Sequence, residues 1–250
     1  MRRCIEKLKK TRIYKRGKSC RIVLLSCFYF YAFPVLGAAM DDPLLSKVMI
    51  DRLEVRDVEH NNPIVWEGQG WIGKDLHKLW FKTEGERANG ETEDAEVQAL
   101  YSHAIAPFWD VQVGLRQDFK PDPGRGWAVI GLQGLAPYFF ELDTALFIGE
   151  SGRTAFRVQA EYELMFTQKL ILTPEVEINF YGQNDVDLEI GSGLSDIEAG
   201  LRLRYEVRRE FAPYIGVNWN KRFGNSADFS RSSGKSVDDF QWVVGVRAWF

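Results

Sequence analysis

The last twelve residues, Asp239 to Phe250, constrain the fold more than any other stretch. Read alternately, Phe240, Trp242, Val244, Val246, Ala248 and Phe250 are all apolar, whereas Asp239, Gln241, Val243, Gly245, Arg247 and Trp249 are mostly polar or small. A period of two is that of a β-strand with one face in oil and one in water. A strand of this kind ending on an aromatic predicts the closing strand of a membrane β-barrel. An edge strand of a soluble sandwich gives the same alternation, so the remaining chain has to discriminate.

The chain is 250 residues long with 14% aromatic residues, enough for one large barrel with aromatics at two interfaces. Its mean hydropathy of −0.26 excludes a helical membrane bundle. Charge is unevenly placed. Residues 1–39 hold ten of the 32 Lys and Arg and one of the 35 Asp and Glu, leaving 22 basic and 34 acidic residues beyond. An acidic body argues against nucleic acid as a partner and suits a cation-handling surface; acidity that merely aids solubility is the plainer alternative. Cys4, Cys20 and Cys27 all precede residue 40, so the body has no disulfide scaffold and no thiolate metal site.

Residues 1–21 are basic, Ile22 to Met40 carries no charge, and Gly37-Ala38-Ala39 supplies small residues. This pattern predicts a secretory signal peptide over residues 1–39, cleaved after about Ala39, with an uncleaved anchor helix as its rival. A short periplasmic segment, 40–46, then leads into a barrel over 47–250. No other stretch is apolar enough for a membrane helix, so a membrane-crossing body requires a closed barrel.

From Lys47 onward, alternating segments of about ten residues are separated by turn residues. Twelve strands are expected, at 47–57, 64–73, 77–86, 93–105, 108–119, 127–136, 139–148, 154–166, 169–180, 195–207, 211–222 and 239–250. Tight connections such as Gly73-Lys74-Asp75, Ala106-Pro107 and Thr167-Gln168 alternate with longer polar loops, including 181–194 and 223–238. The fold expected is therefore an all-β, up-and-down antiparallel transmembrane barrel of about twelve strands. Aromatics near the short turns (Trp71, Tyr101, Phe108, Tyr138, Phe166) and near the long loops (Trp66, Trp127, Phe147, Phe240, Trp242) are expected to form two belts.

Phe156, Val158, Ala160, Tyr162, Leu164 and Phe166 form one uncharged face. The opposite one carries Arg157, Glu161, Glu163 and Met165, and later strands repeat the contrast with Glu175, Glu177, Glu198, Arg202 and Arg204. In a narrow lumen these groups face one another. Two readings follow: a salt-bridged plug that holds the barrel's shape, or a cation site of carboxylates with a soft ligand.

Several strings resemble the copper-resistance protein B family of outer-membrane proteins. They are Asp51-Arg-Leu-Glu54, Gly70-Trp-Ile-Gly73, Glu84-Gly-Glu86, Pro107-Phe-Trp-Asp110, Gly134-Leu-Ala-Pro-Tyr138, Gly200-Leu-Arg-Leu-Arg-Tyr-Glu206 and Gly245-Val-Arg-Ala-Trp-Phe250. The resemblance spans roughly residues 45–250. It implies a Gram-negative outer-membrane barrel in copper tolerance, embedded in outer-membrane lipid and working beside periplasmic copper-handling proteins. Many members carry a Met- and His-rich segment ahead of the barrel. Here that region is only Met40-Asp-Asp-Pro-Leu-Leu-Ser-Lys-Val-Met49, which moves any site into the barrel.

The candidate copper ligands, for Cu(I) or Cu(II), are then Asp51, Glu54, Glu84, Glu86, Glu161, Glu163 and Met165. His60, His77 and His103 read as solvated or interfacial residues. An enzyme is not expected. Ser102 and His103 are adjacent on a strand and point to opposite faces, and no Gly-x-Ser-x-Gly elbow is present. A structural or adhesive barrel without a metal site is the competing function.

Overall fold

The computed structural model describes residues 42–58 and 62–250. The expected signal peptide, Met40 and His60 lie outside the described residues. Thirteen strands form one sheet that closes on itself. They are β1 (Leu45–Asp57), β2 (Ile64–Gly73), β3 (His77–Ala88), β4 (Glu91–Ala106), β5 (Trp109–Lys120), β6 (Arg125–Ala136), β7 (Phe140–Gly149), β8 (Thr154–Glu161), β9 (Leu164–Met165), β10 (Leu170–Tyr181), β11 (Gly193–Tyr205), β12 (Phe211–Arg222) and β13 (Asp238–Trp249).

β8 and β9 both pair with β10 in one register, so they are two pieces of a single stave and the barrel has twelve. Each stave is antiparallel to its sequence neighbour, and β1 pairs with β13 to close the ring. The seam is fastened where Phe250 N–H donates to Val48 O at 2.8 Å and Val48 N–H to Phe250 O at 3.0 Å. Closure leaves no row of unpaired backbone groups. Among the described residues no helix is long and apolar enough to cross a membrane. The expected twelve segments are the observed ones, except that the eighth breaks at Tyr162-Glu163.

Alternation sets the two faces. Leu79, Phe81, Leu115, Val176, Ile215 and Val244 point outward and stay exposed, forming an apolar exterior without a charge among them. Inside, the wall from β3 to β8 is packed with Trp80, Leu100, Trp127, Val129, Phe147 and Ala155, with Trp71 against them. Three residues expected in the outer aromatic belts, Trp71, Trp127 and Phe147, therefore belong to the interior. Strand parity decides this: Trp127 sits opposite Arg116, and its indole N–H donates inward to Asp118 at 2.8 Å. Tyr138, Phe166, Phe240 and Trp242 do lie outside, at 83, 64, 58 and 65% exposure.

β1 carries an irregularity that alternation alone does not place. Its register shifts between Ile50 and Leu53 against β13, and between Ile50 and Arg52 against β2. This one-residue bulge lets the neighbours Asp51 and Arg52 both turn inward, and it restores the inward phase for Glu54 and Arg56. A second departure lies in the loop expected over 223–238, which contains a helix, α1 (Gly224–Ser232). α1 packs against β11, with Ser226, Ala227 and Ser230 buried. Two of those three are hydroxyls, because the face meets polar loop backbone: Ser226 Oγ accepts from Gly191 N–H at 2.7 Å and lies 2.8 Å from Ser195 Oγ.

Candidate functional site

The interior holds a cavity of about 490 Å³. Its lining includes nine carboxylates (Asp51, Glu67, Glu84, Glu96, Asp110, Glu141, Asp143, Glu161, Glu175) against six cationic side chains (Arg52, Lys82, Arg157, Arg202, Arg204, Arg247). The formal excess is three negative charges, which favours cations over anions.

Six of those acids fall into two rows fixed by strand register. Glu67, Glu84 and Glu96 stand directly opposite one another on β2, β3 and β4. Glu141, Glu161 and Glu175 do the same on β7, β8 and β10. Like charges opposite each other destabilise a sheet, so each row needs cations from elsewhere.

Arginines supply them across the lumen. Arg52 joins the rows, with Nε 2.5 Å from Glu67 and Nη2 2.6 Å from Glu175. Arg157 reaches from β8 to Glu84 at 2.8 Å and Glu96 at 3.3 Å, and Arg116 holds Glu96 at 2.5 Å. Both guanidinium groups also lie over the Phe147 ring, 4.8 Å (Arg116) and 5.7 Å (Arg157) from its centroid. Arg202 links Glu175 at 3.1 Å to Glu54 at 2.9 Å. Stripping water from such ions costs several kcal/mol each, so each buried charge depends on the full set of partners.

The predicted ligands separate into three situations. Glu54 is saturated: its carboxylate accepts from Arg56, twice from Arg202 and from the Tyr214 hydroxyl, all at 2.9–3.0 Å. Asp51, Glu161 and Glu163 are brought together, but around a cation, with Arg247 at 3.6, 3.1 and 3.6 Å respectively. Glu163 also meets Arg204 at 2.5 Å. Glu84 belongs to the first acidic row, and Glu86 faces Asp94 nearer the long loops. Met165 keeps the lumen-facing phase through its pairing with Ile171 but is 69% exposed at the short-turn rim. Among the described residues, no group of three or more His, Cys, Asp or Glu is arranged to hold a metal ion.

Sequence reasoning did not single out Glu67, Glu96, Glu141 or Glu175 as site residues. The signal that finds them is register: three inward carboxylates at matched positions on adjacent staves.

Apolar outside and ionic around an interior cavity, the molecule is an up-and-down transmembrane β-barrel of twelve staves. A solved structure of the NanC porin superposes with a TM-score of 0.55 at 16% identity, covering 82% of this chain and 99% of that one. The sequence narrows the class further. The family described as Copper resistance protein B precursor (CopB) matches residues 44–250, and the chain belongs to it. A protein of Escherichia coli named Copper resistance protein B is 46% identical over 215 residues, 86% of this chain and 73% of that protein. A Copper resistance protein B homolog of Pseudomonas syringae pv. tomato (strain ATCC BAA-871 / DC3000) is 48% identical over 210 residues, 84% of this chain and 71% of that one. The resemblance drawn from the short strings therefore holds over the whole barrel.

Proposed function

We propose that this protein contributes to copper resistance as an outer-membrane barrel whose lumen takes up copper ions. It reaches the outer membrane by way of an N-terminal signal. The short turns face the periplasm, the long loops and α1 face outward, and periplasmic copper-handling proteins are its partners. The observation that carries the reading is the pair of acidic rows facing one cavity with three carboxylates in excess, in a chain of this family.

Such a lumen attracts a cation while arginine bridges occupy much of its carboxylate capacity. An entering ion competes with Arg247 for Glu161 and with Arg52 for Glu175, so it is held transiently rather than caged. Carboxylate oxygens suit Cu(II) better than Cu(I); Met165, at the rim, is the one soft donor among the predicted ligands.

A deletion strain challenged with copper tests the role, and metal content with ion conductance of the purified barrel tests the mechanism. Growth equal to the parent under copper would sink the first. Copper uptake by the barrel unchanged in Glu161→Gln with Glu141→Gln would sink the second. Met165→Ala with Glu163→Gln separates the rim from the rows: uptake lost in that variant alone places the ion at the rim.

A further inference from the structure

On the outer face at the short-turn rim, outside the lumen, two histidines from adjacent strands meet. His77 opens β3 and stands directly opposite His103 on β4. Their rings stack with centroids 4.6 Å apart and an interplanar angle of 21°. The two Nδ1 atoms are 3.3 Å from each other. An oxygen lies beside each nitrogen: Tyr101 Oη 2.5 Å from His77 Nδ1, and Leu76 O, which also accepts the Ala104 N–H at 3.0 Å, 3.2 Å from His103 Nδ1. His77 is exposed and His103 half-buried, so no other part of the barrel covers the cluster.

Facing nitrogens cannot both carry protons comfortably, because two N–H groups would then point at each other. One proton shared among the four atoms, or one cation in its place, satisfies the set. The nitrogen spacing allows the second option once one ring turns out of the stack, because an imidazole binds a metal along its in-plane lone pair and stacked rings hold theirs side by side. Two imidazole nitrogens bound about 2.0–2.1 Å from one ion sit about 2.9 Å apart at a right angle and about 3.3–3.4 Å apart at a tetrahedral angle. Two imidazole nitrogens with a phenol oxygen beside them form a donor set that suits a divalent d-block ion and favours Cu(II) over Zn(II) on affinity.

We propose that His77, His103 and Tyr101 form a Cu(II) docking site on the periplasmic rim of the barrel, separate from the lumen. The identity of the ion rests on the copper reading above; the existence of the site rests on the cross-strand histidine pair with Tyr101 beside it. Its position places a first stop for the ion on the side where the short turns lie.

The test is titration of the purified barrel in detergent with CuCl2, followed by electron paramagnetic resonance. Expected is one Cu(II) with hyperfine coupling to imidazole nitrogen. His77→Ala and His103→Ala each abolish that coupling, and Tyr101→Phe weakens binding at least about 10-fold. All three positions lie on the outer surface, and heat-modifiable migration on gels verifies that the variants are folded. Nitrogen coupling that survives in the double histidine variant overturns the proposal, as does wild-type copper bound through oxygen alone; either leaves the lumenal reading standing. A wild-type barrel that takes up no copper overturns both.

Discussion

Arg202 grips Glu54 with two parallel hydrogen bonds, Nε to Oε2 at 2.9 Å and Nη2 to Oε1 at 3.0 Å. The pair spans from β11 to β1 over the two staves between them, and Glu54 is only 1% exposed. Arg202→Ala leaves a buried carboxylate short of two donors, which is expected to cost about 3–5 kcal/mol of stability. Urea unfolding of the barrel in liposomes measures it. Arg202→Lys recovers only part of the loss, since one ammonium cannot reproduce a bidentate fork.

Arg157 spans the lumen from β8 to Glu84 and Glu96 on β3 and β4. Arg157→Ser removes that bar and its stacking on Phe147. Single-channel conductance in a planar bilayer is expected to rise, with cation preference strengthened because the acids remain. Unchanged conductance would mean that the bridge does not obstruct the path.

Gly245 is the floor on which Tyr214 lies. A Cβ there would come 2.6 Å from the Tyr214 ring and hydroxyl and 2.8 Å from Glu54 Cβ. Gly245→Val is therefore expected to push Tyr214 off Glu54 and to destabilise the barrel by about 1–3 kcal/mol. Near-ultraviolet circular dichroism of the folded barrel follows the displaced tyrosine. Gly245→Ala shows the same effect in weaker form.

Loop 181–194 is tied to the segment after α1 through Glu189, which accepts from Lys235 Nζ at 2.6 Å and from the Ser233 hydroxyl. These hydrogen bonds, Lys235 first, hold the Glu189 carboxyl below the usual carboxylate range. A depressed acid stabilises the structure above its ordinary pKa and loses that contribution as pH falls through the lowered value. Hydrogen-exchange protection of α1 is thus expected to decline between about pH 5 and pH 3, and Glu189→Gln to flatten the profile.

The staves were legible because lipid outside and ions inside impose period two along nearly every segment. Ile64–Gly73 and Phe211–Arg222 fall where alternation places them. What was not legible depends on partners distant in sequence. Glu54 and Arg202 are 148 residues apart, and only barrel closure brings them together. α1 leaves no such signal, because its buried face of Ser226, Ala227 and Ser230 makes no apolar stripe. The histidine pair turns on one residue. Counting back from the Ala88–Glu91 turn puts Ser102 opposite His77, but the register shift between Glu86 and Arg87 moves His103 there instead.

The way α1 is held has a consequence of its own. α1 is seated largely by hydroxyl and backbone hydrogen bonds, each worth only about 0.5–1.5 kcal/mol net of the water it displaces. Lifting it off β11 and the 181–194 loop sacrifices little, so α1 is the part that yields first under load, whereas the guanidinium lattice of the lumen is the part that would resist.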